Sequence, residues 1–197
     1  IMPYTCFNDS EDVKLTGTDW YPNNDSYSYQ GLVTVKQAVR DSINTVAAQI
    51  MDLLLPTVAY DFLTERLGVT SLVDGADNSY APMALGQLTN GISLIELASA
   101  YTCFVNDGVY TKARTFTHIT DSEGNVIYEN TPESHVAISE TTAYYITDLL
   151  QGVINSGTAT SAQLSSGMAA AGKTGASDGW KDRWFVGYTP YYVAAVW

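Results

Sequence analysis

The apolar positions along the 197-residue chain change their period several times, and each change predicts a different element. Residues 1–33 are polar and rich in turn formers, which predicts loops with short strands. Helical spacing begins at Thr34, which forms a capping box with Gln37, a pairing that satisfies the first free N–H groups of a helix. The predicted helical runs extend from Thr34 to a break at 41–44, then over 45–55, and then over 57–67, with Gly68 just past the end.

The second half of the chain changes from helical to alternating periodicity and back. Ser93 and Glu96 form another capping box, which predicts a helix to about residue 105. A run of β-branched and aromatic residues then predicts a hairpin with strands over 109–120 and 126–128. Helical spacing returns after Ser139, a predicted N-cap. The last predicted elements are a helix over 140–154, with Gly157 past its end, and strands over 168–174, 183–188 and 191–197.

The order of these elements predicts an α+β fold with an antiparallel sheet, because the repeated strand–helix–strand units of a parallel sheet are missing. We interpret the whole chain as one domain with five successive parts. They are a polar lead-in (1–33), a helical lobe with Ser-x-Asn (34–108), a hairpin (109–138), a helical part (139–166) and the sheet strands with Lys-Thr-Gly (167–197).

Composition and charge exclude several classes of function. Lys and Arg number 9 against 21 Asp and Glu, a net charge of −12 that argues against a nucleic-acid partner. Hydrophobic residues make up 46%, enough to bury a core. Cys6 and Cys103 lack the spacing of metal ligands, so we predict no metal site, and we expect no cofactor. We interpret them as unpaired side chains, and a disulfide between them would require an oxidising compartment.

The two ends of the chain lead to an expectation about the whole protein. The sequence opens without the pattern of a signal peptide, and no apolar run is long enough to span a bilayer. The apolar run 191–197 ends without a turn. We therefore expect a piece truncated at both ends, with any membrane anchor outside it.

Two short motifs carry candidate chemistry. Ser42-Ile43-Asn44 fits Ser-x-Asn between two predicted helices, and Lys173-Thr174 with the following glycine gives Lys-Thr-Gly on a predicted strand. Taken singly, the first is interpreted as a helix break with its own cap, and the second as a solvated lysine at a strand edge. Together they resemble two of the three motifs of penicillin-recognising enzymes.

Two other motifs compete for the same residues. Residues 167–174 fit the phosphate loop Gly-x4-Gly-Lys-Thr, but that loop must open a helix, and 175–179 do not favour one. Residues 175–179 fit the nucleophile elbow Gly-x-Ser-x-Gly, which needs a helix after it and a histidine downstream. His118 and His135 both precede it, and we interpret them as surface or hairpin residues. Both motifs are disfavoured.

From Trp20 onward the chain resembles the transpeptidase domain of class A penicillin-binding proteins. The similarity follows the order of that family and covers nearly the whole chain. The matching segments are 20–24, 29–31, 33–38 and 42–47 around Ser-x-Asn, then 84–86, 88–93, 97–101 and 106–110, and finally 171–175 and 182–190 around Lys-Thr-Gly.

This resemblance implies a fold, an activity and a location. The fold would be the penicillin-binding transpeptidase fold, a β-lactamase-like helical lobe with an antiparallel sheet. The activity would be that of a D,D-transpeptidase, which cross-links peptidoglycan stem peptides through an acyl-serine intermediate and needs no cofactor. Its partners would be D-Ala-D-Ala stem peptides and β-lactams, at the extracytoplasmic face of the bacterial cytoplasmic membrane. A glycosyltransferase domain and a membrane helix would lie upstream.

The resemblance also assigns roles to particular residues. Ser42 would relay a proton near the leaving group, Asn44 would hold the donor's amide, and Lys173 would supply positive charge for the terminal carboxylate. The strand edge after Lys173 could pair with an extended peptide, with one backbone N–H in the oxyanion hole. The residues of this substrate-binding edge are Thr174, Gly175, Ala176, whose N–H is the oxyanion donor, and Ser177.

The chain departs from the family pattern in two respects. No lysine has a serine three residues before it, so the nucleophile motif Ser-x-x-Lys is absent, and we expect this chain alone to be inactive. Ala176 stands where the family usually has a threonine that helps bind the carboxylate, and Ser177 is the candidate to compensate. The alternatives are a non-catalytic cell-wall-binding scaffold and, less favoured, a nucleotide-binding module. An oligomer or a retained cleaved piece would explain how the chain stays ordered.

Overall fold

The computed structural model describes residues 1–177, 179 and 181–197. The lead-in contributes a two-stranded antiparallel pair that runs directly into the first helix. Because its second strand ends where the helix begins, this pair holds the start of the helical lobe. The elements of this half are β1 (Cys6–Asp9), β2 (Gly31–Thr34), α1 (Val35–Asp41), α2 (Asn44–Leu54), α3 (Pro56–Asp61), a π-helical turn (Phe62–Arg66) and α4 (Tyr80–Leu85).

The second half contains two long helices, two small strand pairs and the main sheet. Its elements are α5 (Leu94–Val105), β3 (Val109–Thr111), β4 (His118–Thr120), β5 (Val126–Glu129), β6 (Ser134–Val136), α6 (Glu140–Ser156), a 3₁₀ turn (Thr160–Ala162), β7 (Ala171–Ala176), β8 (Arg183–Tyr188) and β9 (Val193–Val196). The main sheet is antiparallel, in the order β7-β8-β9. This arrangement confirms the predicted α+β class.

The predicted helix starts are confirmed by their cap geometry. Thr34 and Ser93 each accept a hydrogen bond from the backbone N–H three residues on, and both capping boxes are complete. Ser139 caps α6 through the N–H of Thr142. These caps are local, so the sequence alone is sufficient to place them.

Several predicted strands have different bounds. The single strand over 109–120 is wrong: β3 pairs with β6, and only β4 belongs to the predicted hairpin with β5. The main sheet begins at Ala171, because the register ends where Ala171 faces Tyr188 and leaves residues 168–170 without a partner strand. Residues 191–192 belong to a turn, in which the Thr189 N–H donates to the Tyr192 carbonyl at 3.0 Å.

Two helical segments also differ from the prediction. The run over 57–67 is a short α-helix that continues as a π-helical turn, and Gly68 follows it in the left-handed region at φ 62°. Helix α4 was not predicted, since it is short and contains Pro82 in its first turn.

The core lies where α6 packs against the main sheet. Buried side chains of α6, among them Val153 and Ile154, contact Ala171 and Tyr188 of the sheet. A second cluster surrounds Cys103, which is fully buried and free, whereas Cys6 is exposed and free. The interpretation of the two cysteines as unpaired is therefore confirmed. Helix α6 thus supports β7, the strand that carries Lys-Thr-Gly.

Across the described ranges, no single helix combines the length and apolar character that a membrane crossing requires. Helix α2 and the segment Pro56–Arg66, which meet at 91°, satisfy both conditions only when taken together.

Candidate active site

The turn between α1 and α2 presents Ser42. The N–H of Ile43 donates to the carbonyl of Ala38 (2.9 Å), and the N–H of Ser42 donates to that of Val39 (3.4 Å). These are the two bonds of a Schellman motif, and Ile43 and Ala38 share a buried cluster with Val46. The motif requires a left-handed residue, and Ser42 adopts it with φ 59° and ψ 50°. A serine therefore occupies a position that usually holds glycine, and its side chain is exposed.

Lys173 lies in the middle of β7 and reaches across to this turn. Its Nζ donates to the Ser42 Oγ at 2.8 Å and to the Thr174 carbonyl at 3.0 Å. Burial lowers the pKa of Lys173 to about 8. No carboxylate among the described residues forms an ion pair with it. The site therefore holds a half-buried cation whose counter-charge is left for a ligand.

The strand edge beside Lys173 is open. Strand β7 pairs with β8 on one side only, within the part of the chain that the structure describes. The Ser177 N–H donates to the Asp182 carbonyl, and this pair continues the register in which Ala176 faces Arg183. Because hydrogen-bonded and non-hydrogen-bonded pairs alternate in antiparallel sheets, the Ala176 N–H points away from β8. That edge can accept an extended peptide.

Asn44 begins α2, and its carboxamide is held by a backbone contact. The Nδ2 donates to the Asn23 carbonyl at 2.9 Å, which fixes which end of the amide faces that loop. The neighbouring Asn24 is buried and donates to the Asp9 carboxylate at 2.8 Å. Asp9 in turn accepts from the Thr45 hydroxyl at 2.6 Å. This buried network ties the lead-in to the N-terminus of α2 and so positions Asn44.

Sequence reasoning did not identify this network. Asp9 is 1% exposed, and its partners lie 15 and 36 residues away along the chain. A lone aspartate in a polar segment gives no signal of such contacts. The only available signal was that Asn24 and Thr45 lie in segments that carry the family resemblance.

A second unpredicted contact joins α6 to the site. After α6 ends, the Thr158 N–H donates to the Arg40 carbonyl at 3.3 Å, and the Thr158 hydroxyl lies 2.7 Å from that of Thr174. Gly157 makes this approach feasible, because a Cβ there would lie 2.3 Å from the Arg40 carbonyl oxygen. Thr158 therefore bridges the end of α1 and the Lys-Thr-Gly strand.

At the end of β7 the chain turns through Ser177, which is hydrogen-bonded to Asp182. The Ser177 hydroxyl donates to the Asp182 carboxylate at 2.9 Å, and Trp197 donates to the same carboxylate at 2.8 Å. These two bonds, that of Trp197 first, lower the pKa of Asp182 and keep it an acceptor. Ala176 has no hydroxyl. The hydroxyl of Ser177 is thus engaged within the turn between β7 and β8.

The structure confirms the helix break at Ser42, which ends α1, and contradicts the other interpretations of the motifs. Ser42 does not cap α2, whose N-cap is Ile43 without a side-chain bond, and Lys173 is not a solvated lysine. The phosphate-loop hypothesis is wrong, because Lys173 lies inside strand β7 and opens no helix. The elbow hypothesis is wrong as well, since β8 follows, although Asp178 of that motif lies outside the described residues.

The histidines and the acidic residues form no metal site in the described ranges. His118 and His135 are exposed on β4 and β6, as predicted for hairpin or surface residues. No group of three or more His, Cys, Asp or Glu side chains within residues 1–177, 179 and 181–197 is arranged to hold a metal ion.

The fold and the paired motifs define a penicillin-recognising transpeptidase domain. The family model described as "Penicillin binding protein transpeptidase domain" matches residues 2–197, and the chain belongs to this family. Penicillin-binding protein 1A of Clostridium novyi (strain NT) is 37% identical over 191 residues, which are 95% of this chain and 22% of the relative. Penicillin-binding protein 4 of Bacillus subtilis (strain 168) is 33% identical over 184 residues, 93% of this chain and 29% of the relative. The chain therefore spans less than a third of these relatives.

Solved structures share the fold. The D,D-transpeptidase domain of a peptidoglycan glycosyltransferase from Eggerthella lenta matches with a TM-score of 0.78 at 22% identity, over 99% of this chain and 55% of that one. Penicillin-binding protein A from M. tuberculosis, in an imipenem acyl-enzyme complex, matches with a TM-score of 0.79 at 16% identity, over 99% and 49% of the two chains. The predicted penicillin-binding transpeptidase fold is confirmed.

Proposed function

We propose that this chain is the substrate-binding part of a peptidoglycan D,D-transpeptidase. The contact between the Lys173 Nζ and the Ser42 Oγ carries the proposal, because it joins the two motifs across 131 residues. A D-Ala-D-Ala donor ends in a carboxylate, and Lys173 is a half-buried cation beside an open strand edge. A fixed, half-buried cation is the feature that a carboxylate substrate needs.

Ser42 and Lys173 together can move a proton. Because the Ser42 Oγ accepts from Lys173, its own hydrogen is free for the amine that leaves the donor. A pKa of about 8 places Lys173 near the working range of a proton donor and acceptor. Ser42 is therefore assigned the relay and Lys173 the charge that supports it.

The edge of β7 would bind the donor peptide. The outward N–H of Ala176 would donate to the oxygen on which negative charge develops, a contact of the type that contributes on the order of 3 kcal/mol. Thr174 and Gly175 extend the edge along which the peptide would pair as an added strand. Asn44, held by Asn23, would contact the donor's amide.

The attacking serine would come from outside this chain. Ser-x-x-Lys is absent from the sequence, so the chain alone would not form the acyl-enzyme. We assign the complete protein to the extracytoplasmic face of the cell envelope, where D-Ala-D-Ala stem peptides and β-lactams would be its ligands. A membrane anchor and a glycosyltransferase domain would belong to the complete protein.

Labelling with a fluorescent penicillin tests the assignment. The full-length protein that contains this chain should be labelled, whereas the 197-residue chain should not. Ser42→Ala and Lys173→Ala should each slow labelling by well over tenfold, the range of a general acid–base contribution. Lys112→Ala is the matched control, because Lys112 is exposed and pairs with Glu133. Unchanged rates in the first two variants would remove them from the mechanism.

The absent Ser-x-x-Lys also supports one alternative, a non-catalytic scaffold that binds the cell wall. The two proposals differ in the parent reading frame. A Ser-x-x-Lys upstream together with penicillin labelling supports the enzyme. A continuous frame without that motif, and an unlabelled full-length protein, supports the scaffold.

A further inference from the structure

The carboxylate subsite of the proposed transpeptidase has no free hydroxyl at Ala176 or Ser177, the two positions nearest the end of β7. Ala176 has none, and the Ser177 hydroxyl is donated to the Asp182 carboxylate. A carboxylate has two oxygens and about four acceptor sites, more than one ammonium group can satisfy. A further donor beside Lys173 would complete the subsite.

Thr158 brings such a donor from another element. Its hydroxyl lies 2.7 Å from that of Thr174, and either atom can be the donor. The side chain of Thr158 is exposed, so its hydroxyl is accessible from solvent. Its backbone is fixed by the 3.3 Å bond to the Arg40 carbonyl, two residues before Ser42.

The two hydroxyls have one hydrogen that the protein does not use. Each hydroxyl carries a single hydrogen, and one of these two hydrogens is donated in the bond between the hydroxyls. Neither hydroxyl makes another hydrogen bond to the described parts of the chain. The remaining hydrogen is therefore available to an acceptor from outside, and the hydrogen bond between the hydroxyls strengthens its donation.

From this arrangement we propose that Thr158 is a further substrate-binding residue of the carboxylate subsite. The Thr174 hydroxyl donates to the Thr158 Oγ1, and Thr158 donates its own hydrogen to the terminal carboxylate of the donor. It replaces the hydroxyl that Ala176 does not provide. The inference rests on the proposed function, because it assumes a carboxylate-bearing substrate on the β7 edge.

Two probes that differ only in the carboxylate test the proposal on the full-length protein. They are benzylpenicillin and its methyl ester, and the measurement is the second-order rate of acylation by each. Thr158→Val should slow acylation by the acid about tenfold, the loss of one hydrogen bond to a charged group. It should leave the rate for the ester nearly unchanged. Thr158→Ser, which keeps the hydroxyl, should retain both rates.

Thr160→Val is the matched control, because Thr160 is exposed two residues further on and lies in the 3₁₀ turn. It should change neither rate. An equal loss for acid and ester in Thr158→Val would mean that Thr158 only supports the fold, and would overturn the proposal, as would an unchanged rate for the acid. A wild-type protein that neither probe acylates would overturn the proposed function, and this inference with it. If the wild type is acylated and Thr158→Val leaves the rate for the acid unchanged, this inference is overturned but the proposed function is not.

Discussion

Ser42 occupies a backbone conformation that costs a residue with a Cβ roughly 1–2 kcal/mol. Its φ of 59° is required by the Schellman motif that ends α1. Selection for stability would place glycine here, but glycine has no hydroxyl for Lys173. Strain of this kind persists where a side chain is needed at that point. The backbone of the turn and the chemistry of Ser42 therefore have opposite requirements.

Comparing two variants of Ser42 separates the strain from the hydroxyl. Ser42→Gly and Ser42→Ala both lose the bond to Lys173, but only glycine relieves the left-handed backbone. We expect the glycine variant to be more stable than the alanine variant by about 0.5–1 kcal/mol, after the larger chain entropy of glycine is subtracted. Urea unfolding of the two variants measures this difference. Equal stabilities would mean that the turn relaxes without cost.

The protonation of Lys173 should appear in the pH dependence of stability. Burial lowers its pKa from 10.5 to about 8, so between these values the unfolded chain binds more protons than the folded one. The free energy of unfolding should therefore rise with pH across that window, and the cost of the buried charge is fully present below it. Lys173→Met should lack this rise. The measurement is urea unfolding at pH values on either side of the window, and parallel profiles for the two proteins would contradict the shifted pKa.

The residues of the site differ in how far the sequence could reveal them. Ser42 and Lys173 were identified because they belong to short motifs with characteristic neighbours. Thr158 and Asp9 belong to no such motif, and their contacts with Arg40 and Thr45 join segments that are far apart along the chain. Hydrogen bonds between distant segments follow from tertiary packing, which periodicity and caps do not encode.

At the scale of elements, the distinction between local and long-range contacts explains which parts of the fold were predicted correctly. The start of α5 is fixed by side chains three residues apart, and the prediction was correct. The ends of the strands depend on which partner is present: residues 168–170 have strand-like composition, but β8 has already ended opposite Ala171. Local chemistry therefore predicted where helices begin, and only the assembled sheet determines where strands stop.

The approach of α6 to α1 provides a test at this scale. A methyl group at Gly157 would lie 2.3 Å from the Arg40 carbonyl oxygen, so Gly157→Ala must displace backbone. We expect it to lower the free energy of unfolding by about 1–3 kcal/mol, as overpacking does. Penicillin labelling of the full-length protein should also slow, because the displaced backbone would shift Thr158, the next residue.

Gly152 in the same helix is the matched control. A Cβ there meets nothing within 4 Å, and the residue lies inside α6. Gly152→Ala should therefore raise stability by up to about 1 kcal/mol through helix propensity alone, without altering the labelling rate. If both variants were equally stable, the close contact at Gly157 would not be a constraint.

At the scale of the whole molecule, the sheet has two edges with different properties. The β7 edge is beside Lys173. The outer edge of β9 pairs with no strand in the ranges that the structure describes. The strand ends with Val196, which is 58% exposed, and is followed by Trp197, which is 67% exposed. An apolar unpaired strand is a template for another strand. We predict that a second copy of the chain would pair at this edge.

A charge placed on that edge should suppress self-association of the 197-residue chain. We expect sedimentation velocity to show association that grows with protein concentration and with salt, because salt screens the repulsion between copies with a net charge of −12. Val196→Lys should abolish it, since an edge lysine opposes strand pairing. Leu53→Lys is the control, because Leu53 is 68% exposed but lies on helix α2. If Leu53→Lys abolishes self-association and Val196→Lys does not, the copies associate through the helical lobe and not through the β9 edge.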